Sequence, residues 1–114
     1  MITATSSFKD NLSLLPSIEG VVRLDLIDES GAVVASIENQ PRKQGSLAVY
    51  QYLLAEFGAL DAKAAMHGLE VFAEHTEDAK NRPGAHPNID RLLEIAGGAP
   101  ALRIEVIKVE DPRS

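Results

Sequence analysis

Apolar and polar residues alternate in GVVRLDLID, give way to Asp-Glu-Ser-Gly, and alternate again in AVVASIE. This pattern constrains the chain more than any other. Successive side chains leave a strand on opposite faces, so Val22, Leu24 and Leu26 share the inward face while Arg23 and Asp25 share the other. Gly31 can take positive φ at the end of the turn, and the two runs read as a β-hairpin. Val21, Ile27 and Val34 fall off the main inward sets, so the second face is not fully polar. ALRIEVIKV alternates too, with Leu102, Ile104 and Val106 inward, and is the last strand. Strands of this kind need an apolar cover, which the intervening residues must supply.

Helical spacing fills that interval and also precedes the hairpin. Residues 1–5 read as a loose tail. SFKDNLSLLP reads as a short helix capped by Ser7, with Asp10 in its first turn, Pro16 ending it and Phe8, Leu12 and Leu15 on one face. NQPRKQGS is a loop. Ser46 is then a good N-cap for LAVYQYLLAEF, whose stripe is Tyr50, Leu53, Leu54 and Phe57 and whose stop is Gly58. From Asp61 to about Arg82 the spacing favours one helix, with Ala65, Gly68, Leu69, Phe72, Thr76 and Ala79 on its apolar face. A strand over residues 69–76 remains the alternative, because LEVFAEHT also alternates; Thr76 would then cap a short helix. Gly68 in mid-helix costs about 1 kcal/mol relative to Ala. Pro83-Gly84 is a strong stop. Pro87 suits the first position of a further helix, with His86 or Asn88 as competing caps and Ile89, Leu92, Leu93 and Ala96 as its apolar face. Gly97-Gly98 and Pro100 end it, and EDPRS reads as a tail.

The order is therefore helix, hairpin, three helices and strand. It implies an α+β fold with a small, mainly antiparallel sheet, the N-terminal hairpin plus the C-terminal strand, and helices packed on one face. A parallel pairing of the last strand would make the sheet mixed. The 114 residues fit a single domain, 1–114, and the 45% hydrophobic content is enough for a packed core. With three Phe, two Tyr and no Trp, that core is mostly aliphatic.

Charge and composition narrow the function. Eleven basic against seventeen acidic residues give a net charge of −6, which argues against nucleic acid and against an anionic membrane surface as partners. There is no cysteine, so disulfides, thiolate catalysis and Cys-based zinc sites are excluded. MITATSSFKDNLSLLPS lacks the basic and apolar regions of a secretory signal, and no apolar run approaches the roughly 20 residues of a membrane span. A cytoplasmic location is the expectation, and nothing calls for a cofactor.

Two segments carry the remaining chemistry. The first is EHTEDAKNRPGAHPNIDRL, residues 74–92, where His75, Asp78, His86 and Asp90 flank a rigid turn. Imidazole and carboxylate suit a transition metal, and a short turn would bring the two pairs together. The spacing is not that of HExxH or another established metal motif. The plainer reading gives Asp90 to a helix N-terminus, has His86 cap or pack, leaves Asp78 solvated and makes His75 a half-buried structural residue. The second segment is Arg42-Lys43-Gln44-Gly45-Ser46, where Arg42, Lys43 and Ser46 precede or open a helix and form a possible anion site. It lacks the P-loop pattern, and its plainer reading is an exposed loop with an ordinary cap. No GxSxG elbow is present, and no carboxylate pair is placed for glycoside chemistry.

FKDNLSLLP, the hairpin, GSLAVY and above all EHTEDAKNRPGAHPNIDRL resemble a family of short bacterial proteins of unknown function, from Phe8 to the final strand. The resemblance implies bacterial origin and one compact domain, and supplies no catalytic residues. Together these readings favour a small non-catalytic binding or assembly module with a protein or small-molecule partner. A small enzyme or metal-binding protein using residues 75–90 is the alternative. The apolar atoms of Val21, Val34 and Ile107 on the second sheet face suggest a homodimer.

Overall fold

A computed structural model describes residues 1–109; the EDPRS tail lies outside the described residues. The elements are α1 (Phe8–Leu12), β1 (Val21–Ile27), β2 (Val33–Glu38), α2 (Gln44–Phe57), α3 (Ala62–Phe72), α4 (Glu74–Asn81), α5 (Pro87–Ala96) and β3 (Arg103–Lys108). The sheet order is β2-β1-β3, and β1 pairs antiparallel with both neighbours, so the mixed-sheet alternative falls. The fold is α+β, with helices packed against the sheet.

The hairpin turns because the Asp28 carboxylate accepts from Ser30 N, Ser30 Oγ and Ala32 N, while Gly31 sits at φ 88°. Leu24 and Leu26 lie opposite Ile37 and Ala35 on one side and opposite Val106 and Ile104 on the other. That row forms the sheet's contribution to the core. One inward assignment is reversed. A bulge between Val21 and Arg23 inserts a residue into β1, so Val21 is buried and Val22 is 42% exposed. Val21 therefore leaves the apolar set assigned to the open face, and Ile27, at a second register shift and 6% exposed, is buried as well. Val34 is exposed there and Ile107 is half-buried.

The central helix is α2. Leu47 through Tyr50, Tyr52 and Leu53 are buried, so its N-terminal half is covered on nearly all sides, by the sheet and by α1 and α3. This broad burial is why the Tyr50-Leu53-Leu54-Phe57 stripe captured only part of it; Leu54 and Phe57 are only partly buried. The helix begins at Gln44, with Lys43 at the cap position and no side-chain cap. Ser46 is thus inside the first turn rather than the N-cap. The turn at Pro41–Lys43, closed by Lys43 N donating to Gln40 O, winds the backbone up early.

Residues 61–82 are helical, not extended, but they form two helices. Asp61 caps α3 by accepting from Ala64 N. Ala73 then adopts φ 52°, a left-handed conformation unfavourable for an L side chain, and α4 starts in a new direction. Four helices therefore separate the hairpin from β3, not three. The break is held by Thr76 Oγ1 donating to Leu69 O and by Glu74 Oε1 accepting from Phe8 N. Gly68 has a packing reason: a Cβ there would stand 2.8 Å from Leu53 Cδ1 and 2.9 Å from Leu92 Cδ1, so α3 meets α2 and α5 where only glycine fits unshifted.

The first residues are not loose. Ile2 N donates to Tyr52 Oη, and the fully buried Asn11 side chain binds Thr5 N, Thr5 O and Val71 O. Ser7 caps α1 as expected, though α1 ends at Leu12, well before Pro16. Residues 1–12 form a strap over α2 and α3 that sets Phe8 against Phe72, with ring centroids 5.3 Å apart.

Candidate functional cleft

The strap, the start of α2, the α3–α4 break and the α4–α5 turn enclose a cleft of about 670 Å³. Both sequence-derived segments reach it. Arg42, Lys43 and Ser46 come from the α2 side, and His75 and His86 come from α4 and the turn. Phe8, Leu12, Phe72, Pro87 and Ile89 give it an apolar lining, and Arg91 adds a third permanent cation. Among the described residues no Asp or Glu lines it.

The four residues of the 75–90 segment are divided. His75 is exposed and stands edge-on to Phe8, with centroids 5.1 Å apart, so it is not the half-buried residue expected of it. Its ring lies 6.0 Å from that of His86. Asp78 is not among the residues lining the cleft and binds Arg82 along its own helix and His86 Nε2 at 2.6 Å. The hydrogen bonds from Arg82 and then from His86 hold its carboxyl well below the usual carboxylate range. An ionised carboxylate only accepts, so His86 Nε2 carries the proton and Nδ1 has no protein partner among the described residues. Asp90 turns back to accept from Gly84 N at 2.9 Å, fixing the turn. Pro87 opens α5 at N1, with His86 in the cap position making no side-chain cap bond. Asp78 is therefore not merely solvated; it is the partner that orients His86. Among the described residues no three His, Asp or Glu side chains are grouped so as to hold one metal ion.

Arg91 escaped the sequence reading, as did the residues that hold it. Its Nη1 donates to Tyr50 Oη at 3.1 Å and to Asn88 Oδ1 at 2.8 Å, and its guanidinium carbon lies 5.8 Å from the centre of the Tyr50 ring. Tyr50 is fully buried and donates to Asn88 O at 2.6 Å; burial pushes its hydroxyl up to about 12, against the opposing pull of Arg91. Arg91 is half-buried, and no carboxylate of the described residues pairs with it. The Asn88–Arg91 spacing of three along α5 was visible, but the anchor is forty-one residues away, on α2.

Gly45 belongs to the same construction. A Cβ there would meet the Phe8 ring at 3.1 Å, so a glycine lets the strap close over the start of α2. With no side-chain cap, the first N–H groups of α2 are left for solvent or ligand beside Arg42 and Lys43. The cleft thus joins an apolar wall to an electropositive end, and suits a molecule with an anionic group on an apolar body.

No curated protein and no solved structure matches the chain at a significant level. No helix among the described residues is long and apolar enough to cross a membrane. The model of the family described as "Uncharacterized protein conserved in bacteria (DUF2322)" matches residues 8–106, the same span that carries the resemblance and encloses the cleft, and the chain belongs to that family.

Proposed function

We propose that the chain is a cytoplasmic, single-domain, non-catalytic binding module whose cleft takes a small molecule bearing an anion. The observation that carries this reading is the half-buried Arg91, fixed by Tyr50 and Asn88 and without a carboxylate among the described residues, in a protein of net charge −6. A half-buried cation needs a counter-charge more than a surface one does, because its solvation is incomplete. Arg42 and Lys43 lie on the other side of the opening and add attraction. The roles of His75 and His86 are to shape the mouth, with Asp78 orienting His86 from behind. Asp90 serves the turn.

Ligand-dependent stabilisation tests this. Benzoate and inorganic phosphate, compared with chloride at equal ionic strength, should raise the unfolding temperature by mass action, by an amount that grows with ligand concentration over its dissociation constant. Arg42→Glu together with Lys43→Glu should abolish the rise given by phosphate and reduce that given by benzoate less, while leaving the unliganded protein folded, since both side chains are exposed. An unfolding temperature indifferent to both anions would sink the proposal.

A homodimer is a separate reading, which Val33 and Val34, 56% and 52% exposed on the β2 edge strand, favour. A concentration-independent monomer mass in sedimentation equilibrium would remove it. The cleft does not depend on it, because one chain supplies the lining described above.

A further inference from the structure

Resting on the reading of the cleft as an anion site, we propose that the anionic group is a phosphate monoester dianion on an apolar or aromatic body. The argument begins with the geometry of Arg91. Both Nη1 protons are committed, to Tyr50 Oη and Asn88 Oδ1. Nε and Nη2 make no hydrogen bond within the described chain, so one edge of the guanidinium keeps two parallel N–H donors. Such an edge accepts two oxygens of a carboxylate or of a phosphate. The fully buried Tyr50 and the Asn88 side chain hold the fork in place before any ligand arrives, which reduces the ordering cost of binding.

The rest of the cleft separates the two ligand classes. A carboxylate has one charge and two oxygens in a plane, and the Arg91 fork satisfies it alone. Arg42, Lys43, the uncapped start of α2 and the Ser46 position would then have nothing to bind. A phosphate monoester carries about −1.5 to −2 charge at neutral pH and has three terminal oxygens. Two can meet the fork while the third faces Arg42, Lys43 and the α2 N–H groups. Among the described residues no carboxylate lines the cleft to oppose the second negative charge. The ester substituent then lies against Phe8, Leu12, Phe72 and Ile89, in a space of about 670 Å³. A cleft of this size holds a small ring-bearing molecule rather than an extended polymer.

The dianion could belong to a free small molecule or to a phosphorylated residue of another protein. Calorimetric titration of the full chain at about pH 7.5, where the second phosphate proton is lost, distinguishes the cases. The probes are phenyl phosphate, benzoate and a short neutral peptide containing phosphotyrosine. Phenyl phosphate should bind about tenfold tighter than benzoate, because charge-assisted bonds to the second wall are added. The exposed double variant Arg42→Gln Lys43→Gln should weaken phenyl phosphate by roughly tenfold and benzoate much less, since only the dianion reaches that wall. A peptide that binds at least as tightly as phenyl phosphate places the group on a protein partner; a weaker one places it on a small molecule. Equal affinity for phenyl phosphate and benzoate, or a double variant that weakens both alike, overturns the phosphate assignment and leaves the anion cleft standing. Failure of both simple probes to bind overturns the phosphate assignment and the anion cleft together.

Discussion

His67 and His86 each hold one short hydrogen bond, and their surroundings differ in a way that separates scaffold from site. Tyr52 Oη accepts from Ile2 N and so has its own proton to give to His67 Nε2, 2.7 Å away; Glu70 stands 3.7 Å from the other ring nitrogen. The His67 side chain is 12% exposed, between the rings of Tyr52 and Phe57. The chain itself surrounds both ring nitrogens, one through a hydrogen bond and the other through a carboxylate 3.7 Å away. His86 has one nitrogen on Asp78 and the other without a protein partner among the described residues, and its side chain is 28% exposed at the lip of the cleft. Arg91 beside it repeats the pattern, with one end bound and one edge open. Polar groups around the strap are spent on holding the fold. Those around the cleft are held from behind and left, among the described residues, with an unpartnered polar edge in front, a ring nitrogen of His86 and two N–H donors of Arg91.

Leu92→Ala probes what the two regions share. Leu92 is fully buried on α5, packed where Gly68 brings α3 close, and its loss should cost about 2–5 kcal/mol, the penalty of a core cavity. Both regions rest on that contact, so chemical unfolding followed at His67 and at His86 by NMR should show one shared transition. Two separated transitions would mean that the strap and the cleft are independent units.

Asn11→Ala breaks the strap region alone. The amide is fully buried, binds Thr5 and reaches the Val71 carbonyl 60 residues further along the chain, so removal should cost about 1–3 kcal/mol by leaving buried backbone groups unpaired. Tyr52→Phe removes only the hydroxyl between Ile2 and His67 and should cost less, about 0.5–1.5 kcal/mol. Thermal unfolding with anion titration reads both at once. Each variant should lose stability while its folded form keeps the affinity of the parent. A large loss of anion affinity in Tyr52→Phe would erase the distinction between the regions.

The parts of this contrast that follow local rules were legible in the sequence. The hairpin, the last strand, the Ser7 cap, the Gly58 stop and Pro87 at the head of α5 depend on neighbours a few residues away. The break at Ala73 was hidden because alanine is the best helix former; the left-handed backbone is held by Thr76 reaching Leu69 and Glu74 reaching Phe8, contacts no periodicity records. The Val21–Val22 exchange needed the β3 register. In the cleft, the odd composition of residues 75–90 pointed to the right place, and the two cations before α2 pointed there independently. Arg91 carries no such mark. Its role comes from a tyrosine on another helix, and Tyr50 itself read as plain core.

Asp78→Asn should have the smallest effect on stability and sharpens the comparison most. Arg82 and then His86 hold the carboxyl below its ordinary range in the folded chain, whereas in the unfolded chain it titrates near the free value of about 3.9. A group depressed in this way contributes stability above the unfolded value, and the contribution is lost as pH falls toward the folded one. Parent stability should therefore decline with acid from about pH 5 downward, and part of that slope should vanish in Asp78→Asn. The side chain is 39% exposed, so salt should also reduce its share. At neutral pH the variant should stay folded, with less loss than Tyr52→Phe, but His86 would lose the carboxylate that orients it. The urea midpoint at several pH values gives the first quantity, and the His86 ring resonances give the second. If the acid slope of Asp78→Asn equals that of the parent and the His86 ring signals do not move, Asp78 does not orient His86, and the cleft is not held from behind at that lip.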